Sequence, residues 1–203
     1  MLKVGLTGNV AAGKSVVVDQ LRRLGAIIID ADRLVREVEQ PGSALLEAIA
    51  DRFGSEMVLP NGQLDRAKLR RRVMGDPAAL SDLNAIIHPA VERLHRERLA
   101  DAEASGARIV VSDIPLLFEA GWEDAFDLIV LVDAPAAIRR RRLVAFRRLT
   151  PHEADRLIAS QDPADRKRRR SDIVIDNAGT LEALETRVRE VWDVLVTQAN
   201  EGA

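Results

Sequence analysis

The sequence predicts an α/β fold in which helices flank a parallel β-sheet. Three observations carry that prediction. Short apolar runs recur at 2–7, 26–29, 108–112, 128–132 and 173–175, with segments of helical periodicity between them. Runs two to five are each followed by an acid, at Asp30, Asp113, Asp133 and Asp176. Such alternation argues for parallel strands joined by right-handed crossovers. The first run leads directly into Gly8-Asn9-Val10-Ala11-Ala12-Gly13-Lys14-Ser15, which fits the phosphate-binding pattern G-x-x-x-x-G-K-[ST].

That eight-residue stretch has the context its chemistry needs. Val16, Val17, Leu21 and Leu24 fall on helical spacing, so the loop opens a helix over 15–24 that Gly25 ends. Main-chain N–H groups around a tight loop, with the free donors of a helix start, suit a polyphosphate. Gly8 and Gly13 are expected to let the chain turn sharply and approach the anion. Lys14 is expected between the β- and γ-phosphates, and Ser15 is expected to offer its hydroxyl to Mg²⁺. The bland alternative is a glycine turn with a solvated lysine.

Composition narrows the class. A chain of 203 residues with 47% apolar content has a full core available as one domain, or one domain with an inserted lid. A net charge of −2 gives no global attraction to nucleic acid or to an anionic membrane. Aromatic content of 3%, with no tyrosine, argues against a base-stacking single-strand binder. The absence of cysteine excludes disulfides, cysteine-zinc sites and a cysteine nucleophile. No apolar stretch approaches the roughly 18 residues of a spanning helix. The first strand begins almost at Met1, which leaves no expected signal peptide, and a cytoplasmic location is expected.

Taken in order, Asp30-Ala31-Asp32 follows the second strand at the edge where open α/β sheets bind ligands. Either acid suits Mg²⁺ held through water or a proton from a substrate hydroxyl, and Asp32 also stands where an N-cap is expected. Gln40-Pro41-Gly42-Ser43 reads as a turn, and 43–53 as a helix with Ala44, Leu45, Ala48 and Ile49 inward. Helices are expected over 64–74 and 77–104, the longer one broken or kinked at His88-Pro89. This all-helical excursion from the sheet is a plausible place for a second substrate. The last helix, 181–197, carries Leu184, Val188, Val191, Trp192 and Leu195 on one stripe.

Between the fourth and fifth strands lies the most basic part of the chain: Arg139-Arg140-Arg141-Arg142, Arg147-Arg148 and Arg166-Lys167-Arg168-Arg169-Arg170. Charge runs on helices are usually solvated, and Asp155, Asp162 and Asp165 are available as partners. Phosphoryl transfer, however, calls for cations over the γ-phosphate, so at least one of these arginines is expected there.

Several segments together resemble the dephospho-CoA kinase family over essentially the whole chain. They are the loop at 8–15, Asp30-Ala31-Asp32, Leu83-Asn84-Ala85-Ile86-Ile87-His88-Pro89, Asp113-Ile114-Pro115-Leu116-Leu117-Phe118-Glu119, Ile158-Ala159-Ser160-Gln161 and Val174-Ile175-Asp176-Asn177. The resemblance implies a P-loop NTPase fold and transfer of the ATP γ-phosphate to the ribose 3′-hydroxyl of dephospho-CoA, with Mg²⁺. It implies a core of about 1–35, 105–138 and 171–203, a helical acceptor region of about 36–104, and a lid of about 139–170 that closes over the phosphates. Lys14 and Asp32 match positions regarded as catalytic, with a lid-base arginine for which Arg140 and Arg142 are the candidates. ATP contacts are expected from Gly8, Ala11, Ala12, Gly13, Lys14, Ser15, Val16 and Asn177, and metal contacts from Ser15 and Asp32. Acceptor contacts are expected from Asp30, Asp32, His88, Asp113 and Leu116. The chain departs from the family's pattern where glycine is usual in the loop, with Asn9, Ala11 and Ala12. It departs again where Phe146 and Arg147 follow Arg142-Leu143-Val144-Ala145. A monomer or weak homo-oligomer, with neither nucleic acid nor membrane as partner, completes the expectation. A related small-molecule kinase is the main rival; a guanine-specific switch lacks its Asn-Lys-x-Asp string.

Overall fold

The computed structural model describes residues 1–201, and they form two compact units: 1–29 with 102–201, and 30–101. The first unit is built on a five-stranded sheet in the order β2-β3-β1-β4-β5. Its strands are β1 (Leu2–Gly8), β2 (Ile27–Asp30), β3 (Ile109–Asp113), β4 (Leu128–Asp133) and β5 (Ile173–Asp176). β1 pairs in parallel with both β3 and β4, and β4 with β5. Leu6 lies opposite Asp113, Gly8 opposite Val132, and Asp133 opposite Asp176. The acids that follow the strands are therefore their last residues, one position later than the apolar runs suggest, on the edge where β1 opens into its loop.

Strands buried on both faces read as continuous apolar runs, which is why periodicity alone locates them. Val4, Leu6, Val111, Val130 and Val132 point to one face, against Val17 and Leu21 of α1 (Lys14–Leu24) and Val188, Val191 and Leu195 of α9 (Leu181–Glu201). Gly5, by alternation, faces the other side, and a Cβ there would come within 2.7 Å of Leu117 and 2.8 Å of Phe126. Leu184, Val188, Val191 and Leu195 of the closing helix are buried on one stripe, with Trp192 partly buried.

The expected lid contributes three helices to this unit: α6 (Ala136–Arg147), α7 (Pro151–Ala159) and α8 (Ala164–Arg169). α7 starts with a full capping box, in which the Thr150 side chain accepts from Glu153 N–H and Glu153 reaches back to Thr150 N–H. Among the described residues no helix is long and apolar enough to cross a membrane.

The second unit holds α2 (Ala31–Val38), α3 (Ala44–Phe53), a 3-10 turn (Ser55–Met57), α4 (Arg66–Val73) and most of α5 (Pro77–Ala104). Its own core gathers Leu45, Leu46, Ile49, Phe53, Met57, Leu69, Val73, Ala79 and Leu83. Three local expectations change. Leu46 and Phe53 bury where Ala44 stays exposed, because the inward face of α3 follows its larger side chains. Asp30, not Asp32, caps α2: its Oδ1 accepts Arg33 N–H at 3.1 Å, and Asp32 lies exposed in the first turn. And α5 runs as one helix through Pro89, so of the break or kink expected there the break is absent. A proline there removes one N–H and crowds the preceding turn at about 3 kcal/mol. Leu83, Ile86, Ile87 and Ala90, all packed on this core, offset that cost.

α5 also buries His95, 4% exposed. Desolvation first, then the neighbouring Arg96, lowers its pKa from 6.5 to about 4. The folded chain thus holds it neutral between those values, while the unfolded chain takes up the proton. Stability is unaffected above pH 6.5 and falls as pH drops toward 4, by about 3 kcal/mol at most. The lowered carboxylates add a loss that begins near their ordinary values, 4.5 for Glu153 and Glu182 and 3.8 for Asp76 and Asp176, and so lies at the acid end of that window and below it. Urea unfolding at pH 7 and pH 5 measures the loss, and His95→Gln is expected to flatten it.

Candidate active site

The loop that leaves β1 is shaped by protein atoms on its outer side. Ala11 sits in the left-handed region at φ 57°, and Gly13, the residue before α1, at φ 99°. A Cβ on Gly13 would lie 2.2 Å from Asn177 Nδ2. Gly8 has no such φ; there a Cβ would meet the carbonyl oxygen of Val132 at 2.8 Å. Both glycines are thus demanded by close packing against β4 and Asn177. For Gly8 this replaces the sharp turn expected from the sequence.

The carbonyl side of the loop is held by two side chains. Asn177 Nδ2 donates to Ala12 O at 2.7 Å. The Arg142 guanidinium donates to Ala11 O and Ala12 O, both at 3.2 Å, and to Asn177 O at 3.1 Å and Oδ1 at 3.2 Å. Burial, and then Arg141, lowers the pKa of Arg142, yet such a guanidinium stays charged. With its carbonyls bound behind, the loop is left with N–H groups in front. Those of Gly13, Lys14 and Ser15 have no main-chain acceptor among the described residues, as the start of a helix dictates. The helix dipole adds to their attraction for an anion.

Lys14 forms an ion pair with Asp113 at the end of β3, both side chains about one-sixth exposed (17% and 16%). Deeper in, Asn9 Nδ2 donates to Asp133 Oδ1 at 2.8 Å, and Arg168 joins Asp133 Oδ2 at 3.1 Å to Asp176 Oδ1 at 2.6 Å. Hydrogen bonds to Asp176, then to Asp133, raise the pKa of Arg168, and the same contact lowers that of Asp176.

The basic residues divide sharply. Arg140 pairs with Asp155 at 2.8 Å on the exposed surface, while Arg142, two residues on, turns inward to the loop. Arg139 is buried and donates to Ala134 O at 2.9 Å. Lys167, fully buried, lies 2.7 Å from Glu119 in an ion pair without good hydrogen-bond alignment. Arg170 pairs with Glu123 and stacks 4.7 Å over the Phe118 ring. Much of 166–170 is therefore committed to the protein itself and is not the free lid face the charge run suggests.

Of the residues singled out from sequence, Gly8, Ala11, Ala12, Gly13, Lys14, Asp113, Arg142 and Asn177 come together around the loop. Ser15 and Val16 lie in the first turn of α1 with exposed side chains, and Leu116 is 55% exposed. Asp30, Asp32 and His88 lie in the second unit. Asn9, Asp133, Gln161 and Arg168 were not foreseen. Asp133 carried a signal, as the last residue of a strand neighbouring the loop's own.

The family model for dephospho-CoA kinase matches residues 2–183. The chain belongs to the dephospho-CoA kinase family. It is 45% identical over 201 residues to a dephospho-CoA kinase of Streptomyces avermitilis, covering 99% of this chain and 97% of that one. It is 42% identical over 195 residues to one of Thermobifida fusca, covering 96% of each. The crystal structure of TT1252 from Thermus thermophilus aligns with a TM-score of 0.81 and 38% identity, over 96% of this chain and 97% of that one. The family reaction is ATP-dependent phosphorylation of dephospho-CoA to CoA, the final step of coenzyme A biosynthesis, so the chain is a phosphotransferase.

The donor set fits the Mg²⁺ that accompanies ATP in this family. No group of three or more His, Asp or Glu among the described residues could hold a metal by itself. Magnesium in kinases is bound largely by the nucleotide's phosphates and by water, with few protein oxygens, and Ser15 leaves an exposed hydroxyl in the first turn of α1.

Ala11 carries a measurable cost. A non-glycine residue in the left-handed region loses about 1–2 kcal/mol, while glycine gives back about 0.4–1 kcal/mol through its freer unfolded chain. Ala11→Gly is therefore expected to leave stability equal or raise it by up to about 1.6 kcal/mol in urea unfolding. A drop would show that the Ala11 methyl group packs usefully.

Proposed function

We propose that the chain transfers the γ-phosphoryl group of ATP to the ribose 3′-hydroxyl of dephospho-CoA, giving CoA and ADP. The observation that carries this reading is the cradle: free N–H groups of Gly13, Lys14 and Ser15 in front, carbonyls bound by Arg142 and Asn177 behind. Gly8, Ala11, Ala12 and Val16 complete the ATP contacts. Mg²⁺, when bound, neutralises charge on the β- and γ-phosphate oxygens, with Ser15 and Asp32 as the proposed protein oxygens on its side.

Lys14 supplies the positive charge that follows the phosphoryl group as it moves. Its pair with Asp113 sets the direction of the ammonium. Asp32 accepts the proton of the ribose hydroxyl as oxygen bonds to γ-phosphorus and the bond to the β-phosphate oxygen breaks. Asp30 differs from it, because its carboxylate already caps α2. His88 and Leu116 are proposed as acceptor contacts, and Asp113 reaches the acceptor from the same end of the sheet as the loop. Arg142 acts by holding the loop, and of the two candidates Arg140, on the surface with Asp155, is the one proposed to meet the phosphates. The reading places the protein in the cytoplasm as a monomer or weak homo-oligomer.

A coupled ADP-release assay with dephospho-CoA, adenosine, AMP and shikimate side by side tests the assignment. Turnover is expected with dephospho-CoA, the product carrying a new 3′-phosphate by phosphorus NMR. Equal turnover with adenosine or AMP moves the assignment to a general nucleoside or nucleotide kinase. In the same assay Lys14→Ala is expected to lose on the order of 10²–10³ in rate, more than it loses in ATP affinity. Asp32→Asn is expected to lose turnover with its circular dichroism intact, and wild-type activity in that variant would remove the proton-accepting role.

A further inference from the structure

The turn between α7 and α8 sends one side chain to the P-loop. Gln161 Oε1 accepts the main-chain N–H of Val10 at 2.8 Å. Val10 N–H can only donate, so the amide oxygen must face it, and Nε2 with its two N–H donors faces away. That nitrogen has no protein acceptor among the described residues, and the side chain is only half-buried. One donor of the loop is thus consumed and two are presented beside it. The turn that carries them is held from its C-terminal side. Lys167 is tied to Glu119, Arg168 to Asp133 and Asp176, and Arg170 to Glu123.

We propose that Gln161 contacts the nucleotide: Oε1 positions Val10, and Nε2 donates to phosphate oxygens of the ATP held by the loop. This rests on the phosphate-cradle reading above. Three features converge on it. The carboxamide sits on the N–H of Val10, the residue before Ala11, whose positive φ leads the chain into the unpaired N–H groups of Gly13, Lys14 and Ser15. Amide donors are the polar groups an anion recruits in such a nest. And the side chain is neutral: a glutamate would accept Val10 N–H equally well, but would set a negative charge beside a triphosphate.

That last difference supplies the test. Gln161→Glu keeps the acceptor for Val10 and loses both donors; Gln161→Leu loses everything. Gln161→Glu is expected to melt like the wild type and to lose about tenfold or more in kcat/KM for ATP, the size of one charge-assisted hydrogen bond. Activity of Gln161→Glu within about twofold of wild type, with Gln161→Leu impaired, would reduce the residue to a structural tie for Val10 and overturn the proposal. Should Gln161→Glu melt lower, titration of the folded variant with ATP and with adenosine decides: loss confined to ATP supports the contact, and equal loss for both overturns it. Turnover of Lys14→Ala in the ADP-release assay separates the two readings. If Lys14→Ala turns over like wild type, the cradle fails and this contact with it. If Lys14→Ala loses turnover while Gln161→Glu keeps wild-type kcat/KM for ATP, only the Gln161 contact fails.

Discussion

The site depends on the hydrogen bonds that Arg142 and Asn177 make to the back of the P-loop. A peptide group has two polar ends, and a loop that binds an anion must turn its N–H ends forward. The carbonyls are then driven together behind, where they repel one another and lose water. A guanidinium with five donors in a rigid fork is suited to that place, and each charge-assisted bond contributes about 1.5–3 kcal/mol. Asn177 adds a donor so close to Gly13 that no side chain fits there. The strained Ala11 persists because this network over-determines it.

Positive charge in this chain is used in three ways, and only burial tells them apart. Arg139 and Lys167 are interior groups: Arg139 donates to a carbonyl, and Lys167 is paired in charge with Glu119. Arg168 spans Asp133 and Asp176, keeping together the ends of two parallel strands that carry adjacent acids. Without it those carboxylates, paired in register, would repel. Arg140 stays at the surface, where its bond to Asp155 contributes little to stability and is easily exchanged. Such a cation is free for a ligand in a way that Arg168 is not.

What could be read in advance was whatever a local pattern carries. The loop at 8–15 was legible because glycine spacing, a preceding strand and a following helix are all properties of short windows. The strands of the first unit were legible within about a residue, since burial on both faces leaves an unbroken apolar run. The roles of Asn9, Asp133 and Gln161 were not. Asn9 and Asp133 are 124 positions apart, and Gln161 lies 151 positions from Val10, so no window contains both partners. The helix does not end at Pro89 for a related reason: the local penalty is real, but the packing that offsets it comes from elsewhere in the second unit.

By itself the sequence determined the class of the protein and the type of chemistry. Alternating strands and helices and a phosphate loop at residue 8 follow from composition and spacing, which the chain carries wherever it folds, and the ordered segments after the loop carry the family resemblance. Only the tertiary structure decided the division of labour. It set Arg142 behind the loop and Arg140 on the surface, although they stand two residues apart in one helix. It made Asp30 and not Asp32 the cap, and demanded glycine at 8 for a neighbouring carbonyl. The physical reason is the same each time. A side chain's role is set by whether water or a protein atom occupies the next 3 Å or so, the reach of a hydrogen bond, and that is a property of the assembled fold.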